Sequence, residues 1–101
     1  MAPEIIEGKP YDPFKADIFS LGIIFFMMIT KKTLFEKAIY SDKKYNLYVK
    51  NPQLYWKFFK EAYPDINLSD SFILLIMRMT SKDPIKRYSI KEVISSEWLN
   101  R

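Results

Sequence analysis

The chain has 101 residues, 49% of them apolar and 28% charged, with a formal charge of +4. That is one small domain with material for a single modest core, too apolar to stay disordered. Neither cysteine nor histidine occurs, which excludes disulfides, thiolate or imidazole zinc sites, and Ser-His or Cys-His nucleophile systems.

Taken in chain order, the predicted elements are all helical. Pro3 followed by Glu4 starts a short helical turn, because proline's fixed φ suits the first turn and a carboxylate suits the positive helix end. Gly8 stops it. The run Ile18 to Ile29, "IFSLGIIFFMMI", is the longest apolar stretch. A membrane span needs roughly 20 apolar residues, and a signal peptide carries its positive charge ahead of the run. Here Asp12 and Asp17 precede the run while Lys31 and Lys32 follow. The expectation is therefore no membrane span but a core helix, starting near Ala16–Asp17 with Asp17 as its cap and apolar all round. Gly22 inside that helix costs about 1 kcal/mol against alanine, which points to a neighbouring backbone packed close against it.

"TKKTLFEKA" reads as a loop. A helix fits Asp42 to Lys50; Asn51 then caps, and Pro52 opens, another that runs to about Ala62. After the connector "YPDIN", Ser69 caps a helix to about Thr80, with Leu68 and Ile73 placed for a hydrophobic staple and Phe72, Leu75, Ile76 and Met79 on one face. "SKDPIKRY" is a turn built on Asp83-Pro84. Ser89 and Glu92 form a capping box for a last helix to about Ser96.

Charge is concentrated in the middle. Residues 31–61 carry eight lysines against Glu36, Asp42 and Glu61. The lysines interleave with Tyr45, Tyr48, Tyr55, Trp56, Phe58 and Phe59. Such a pattern fits nucleic acid in principle, but it fits the solvated face of helices with inward aromatics better. Tyr45, Tyr48, Tyr55 and Trp56 are candidates for a protein-docking surface, since one helix pair cannot bury every aromatic; the opposing reading makes them all core.

Three segments carry a family resemblance that covers the whole chain. "APE", Ala2-Pro3-Glu4, resembles the motif that closes the activation segment of protein kinases. "KADIFSLGIIFF" is similar to the family's central helix, D-x-W-S-x-G, with Asp17 and Gly22 at the matching positions and Phe19 in place of tryptophan. "DPIKRYSIKEVISSEWL" resembles the closing D-P-x-x-R loop and helix, through Asp83, Pro84, Arg87 and Trp98. Tyr88 departs from the usual proline, and Ser96-Glu97 replace His-Pro. The order of the three makes the match specific.

The resemblance implies a mostly helical fold over residues 1–101: the C-terminal subdomain of a kinase large lobe, truncated at its N-terminal side, with Met1 a true or internal start. It implies an ion pair of Glu4 with Arg87, which on the residues alone are two independent surface charges. It implies that Asp17 faces the catalytic loop, and that Trp98 is a core anchor. Met27 stands where some kinases preferring basic substrates carry glutamate, so such a preference has no support. The parent reaction is ATP-dependent phosphorylation of protein serine or threonine. Yet this chain has two glycines, no H-R-D and no D-F-G, so no catalytic, cofactor-binding or metal residue is expected in it. ATP and Mg2+ belong to the parent domain. The implied partners are the rest of that domain and protein substrates or regulators, in an intracellular, cytoplasmic setting. A stand-alone helical docking module and a basic nucleic-acid binder are the alternatives.

Overall fold

The computed structural model describes residues 1–100. Its helices are α1 (Pro3–Ile6), α2 (Pro13–Thr30), α3 (Lys43–Lys50), α4 (Pro52–Ala62), α5 (Asp70–Met79) and α6 (Ile90–Ile94), followed by a 3-10 turn (Trp98–Asn100). Among the described residues there is no strand.

The helix ends follow local chemistry. Asp42, Asn51 and Ser69 each cap the helix that follows, accepting from the amides of Tyr45, Leu54 and Phe72. Asp42 works twice, because its other oxygen takes the amides of Glu36 and Lys37 at 3.0 and 2.9 Å. That ties the preceding loop to α3 and, with the amide bonds outweighing burial, holds the Asp42 carboxyl below its ordinary value. The Ser89–Glu92 capping box forms in both directions.

The start of α2 differs from the sequence expectation. Asp12 is its cap, accepting from Phe14 at 2.8 Å, and Pro13 opens the first turn. Both aspartates precede the apolar run, but only Asp12 has a proline next to it to fix the first helical φ. Asp17 falls inside the helix, exposed and without a capping role.

Two apolar clusters hold the helices. The larger joins Phe19 and Phe26 of α2 to Leu34 and Phe35 of the loop, Tyr45 and Tyr48 of α3, Tyr55 and Phe59 of α4, and Phe72 and Ile76 of α5. The smaller packs Ile18 of α2, Leu75 and Met79 of α5, and Val93 of α6. Gly22 sits where α2 meets α5: a Cβ there would lie 2.9 Å from Met79 Cβ and 2.9 Å from Thr80 Cγ2. The close neighbour is thus a side-chain pair rather than bare backbone.

α2 is not buried on every side. Six of its 18 residues are buried, Ala16, Ile18, Phe19, Gly22, Phe26 and Thr30, whereas Phe14 is 82% exposed and Met28 62%. Ile24, Met27 and Ile29 are also exposed. Five helices of 4 to 11 residues can cover only one face of an 18-residue helix. By length and composition α2 could cross a membrane, but its buried residues are woven into both clusters.

Candidate functional site

The N-terminal turn, α2 and the turn after α5 converge on one side chain. Asp83 shapes that last turn: its carboxylate accepts from Ile85 at 3.0 Å, and its carbonyl accepts from Lys86 and Arg87 at 3.1 Å. Pro84 supplies the fixed φ of the turn's second position. Tyr88 donates to the Arg78 carbonyl at 3.0 Å, which anchors the turn to α5 and aims Arg87 inward.

Arg87 is fully buried, and all five of its N–H groups have acceptors. Two reach the Glu4 carboxylate side by side, Nη1 to Oε2 at 2.7 Å and Nη2 to Oε1 at 2.9 Å. Nε donates to the Ser81 carbonyl, Nη1 also to the Lys15 carbonyl, and Nη2 also to the Lys82 carbonyl. The guanidinium lies 5.0 Å from the centre of the Phe19 ring. Lys15 in turn donates its Nζ to the Arg87 carbonyl. Residues 83 positions apart are thereby fastened together, with α2 as the third member.

The energetics depend on completeness. Removing two charges from water costs several kcal/mol each, and only bidentate geometry with every remaining donor satisfied offsets that cost. Burial by itself would push the Glu4 carboxyl up, but the Arg87 hydrogen bond and charge, with a backbone bond, outweigh it and hold Glu4 below its usual value. Ala2 and Pro3, both buried, set the position of Glu4 in the first turn of α1.

The remaining site candidates are dispersed. Gly22 is a packing position on α2. Asp17 is exposed and takes no part in the Arg87 cluster. Trp98 is half-buried, its ring 5.0 Å from Phe72 and 6.3 Å from Phe25.

The proposed docking aromatics are corrected. Tyr45, Tyr48 and Tyr55 are buried, and Trp56 is largely enclosed, edge-on to Phe26, Tyr48, Tyr55 and Phe59. Tyr48 shares a 2.6 Å hydrogen bond with Thr80, and Tyr55 donates to the Leu34 carbonyl at 2.6 Å. Burial raises all three phenols, Tyr45 to about 12. The Tyr48 and Tyr55 hydroxyls are structural, the Tyr45 hydroxyl is buried without a hydrogen-bond partner among the described residues, and the lysines around them are exposed. The exposed aromatic of this region is Phe58, 50% exposed, beside a hollow of about 200 Å³ lined also by Leu47, Phe59 and Tyr63. Its position follows from helical spacing: Tyr55 and Phe59 point inward, which leaves Phe58 at the edge.

No cluster of three acidic side chains able to hold a metal ion occurs among the described residues. Gly8 turns the chain after α1 at φ +71°, and Gly22 is packed against the end of α5.

Comparison with known proteins supplies the context for this cluster. The chain is 36% identical over 99 residues to serine/threonine-protein kinase chk1 of Schizosaccharomyces pombe, covering 97% of this chain and 18% of that protein. It is 36% identical over 99 residues to an Aurora kinase of Candida albicans, covering 98% of this chain and 17% of the relative. Against the maternal embryonic leucine zipper kinase of Xenopus tropicalis the identity is 33% over 99 residues, 97% of this chain and 14% of the relative. The chain thus spans less than a fifth of the length of these relatives. The protein kinase domain profile matches residues 1–99, and a helical chain stapled end to end by Glu4 and Arg87 belongs to the protein kinase domain family.

Proposed function

We propose that this chain is the C-terminal helical part of a serine/threonine protein kinase catalytic domain and serves it as scaffold and partner surface. The observation that carries this reading is the buried bidentate pair of Glu4 and Arg87, which joins the A-P-E segment to the D-P-x-x-R turn. The parent reaction is transfer of the γ-phosphoryl of Mg-ATP to a protein hydroxyl. ATP and Mg2+ bind in the part of the domain that supplies the phosphate loop and the metal-binding aspartate, and the chain by itself is inactive. The rest of the domain covers the exposed face of α2, whose buried face is already committed to the core. This reading makes α2 a core helix, not a membrane span, of an intracellular protein.

The test is a transplant. Residues 1–99 replace the matched segment of the Schizosaccharomyces pombe kinase, and transfer to a protein substrate is measured beside the isolated chain. Transfer by the chimera and none by the chain supports the scaffold reading. A folded but inactive chimera, or transfer by the chain alone, contradicts it.

A further inference from the structure

Tyr40 lies in the turn before α3, two residues ahead of the Asp42 cap, and is 44% exposed. Two lysines from different elements converge on it. Lys82, from the turn after α5, donates to Tyr40 Oη and holds its Nζ 4.8 Å from the ring centre. Lys50, in the last turn of α3, places its Nζ 5.5 Å from the same centre.

Neither lysine has a carboxylate partner among the described residues, whose ion pairs are Lys9–Glu7 and Arg87–Glu4. Glu7, the acid whose field reaches Lys82, is held by Lys9 at 2.8 Å. Two lysines are thus gathered on one phenol, and neither is paired with a carboxylate among the described residues. The other exposed tyrosine, Tyr11, is 51% exposed and has neither a lysine over its ring nor a side-chain hydrogen bond among the described residues.

We propose that Tyr40 is a phosphorylation site whose phosphate is held by Lys50 and Lys82. A tyrosine-directed protein kinase supplies the group from Mg-ATP. The Tyr40 Oη–phosphorus bond forms, the bond from the γ-phosphorus to its bridging oxygen breaks, ADP leaves, and the phenolic proton passes to the modifying enzyme's base. The product carries about −1.5 to −2 charges at pH 7 and three acceptor oxygens, which balances the two lysines. It fastens the loop ahead of α3 to the turn that carries Arg87, setting an anionic acceptor in place of the phenol that Lys82 now donates to and giving Lys50, which now has only a ring contact, a charge-assisted hydrogen bond.

The experiment has two arms. In the first, the chain is incubated with a soluble tyrosine kinase domain and Mg-ATP and mapped by tandem mass spectrometry; phosphate on Tyr40 is expected, and an unmodified Tyr40 beside a modified Tyr11 overturns the proposal. In the second, phosphotyrosine is encoded genetically at position 40 or at position 11 and titrated by phosphorus NMR. The second ionisation at position 40 should lie about 0.5–1 unit below that at position 11, since cations within a few ångströms favour the dianion. The difference should vanish in the Lys50→Gln/Lys82→Gln variant, which alters only exposed side chains. Equal titration at the two positions, or a difference that survives the double substitution, overturns the proposal.

Discussion

Arg87 carries a stability dependence that follows from its pairing with Glu4. Its side chain is fully buried, so Arg87→Ala leaves the Glu4 carboxylate uncompensated in the interior. The expected loss is about 3–5 kcal/mol in denaturant unfolding. Arg87→Lys rescues little of it, because an ammonium cannot make the side-by-side contact or reach three carbonyls besides. A double-mutant cycle with Glu4→Gln should give strong coupling; additive losses would show that the two charges act separately. The acid limb carries the same signature. Since the folded-state Glu4 pKa lies below its ordinary 4.5, the pair's contribution is complete above pH 4.5 and is lost as pH falls through the lower folded value. The Glu4→Gln variant should be less stable at neutral pH and lose less on acidification; identical acid profiles would contradict the assignment.

Helix α2 separates what sequence reading captures from what it does not. Caps with a polar side chain beside a proline or three residues before a glutamate, as at Asn51 and Ser89, are legible because the deciding groups are neighbours in the chain. Asp12 and Asp17 compete as caps for one helix, and Pro13 decides between them. Asp12→Ala should therefore cost about 1 kcal/mol and Asp17→Ala far less in thermal melts; the reverse order would restore Asp17 as the cap. Gly22→Ala tests packing against propensity. Alanine gains about 1 kcal/mol of helix propensity, but its Cβ meets Met79 and Thr80 at 2.9 Å. Overpacking costs typically about 1–3 kcal/mol, so net destabilisation is expected, and a stabilised variant would show that α2 and α5 part easily. The docking aromatics were illegible for a different reason: interleaved lysines and aromatics give the composition of a segment, while burial depends on which face meets α2 and α5. Likewise, nothing local in Glu4 or Arg87 announces a partner 83 residues away; only the order of three family motifs does.

At the scale of the whole molecule, the unbalanced feature is the outer face of α2. Phe14, Ile24 and Met28 are exposed and share one face of the helix, since at about 100° per residue their positions fall within an arc of about 80°. Contiguous apolar patches above a few hundred Å² are uncommon on soluble monomers and mark interfaces. Tertiary packing decides which apolar residues of α2 remain outside: Ile18 is buried against Leu75, Met79 and Val93, and Phe25 is partly covered by Trp98. The isolated chain should self-associate and bind a hydrophobic dye, both reduced in the Ile24→Glu/Met28→Glu variant. A monomer without dye binding would indicate that the face tolerates water.

Methionine oxidation reports most directly on whether the rest of a kinase domain covers that face. Peroxide footprinting of the chain at low concentration, beside its transplant in the Schizosaccharomyces pombe kinase, follows Met28 against Met79, which is 0% exposed. Met28 should oxidise rapidly in the chain alone and be protected in the transplant, with Met79 protected in both. Equal, rapid oxidation of Met28 in the chain and in an active transplant would contradict the assignment of α2 as the helix that joins this chain to its domain.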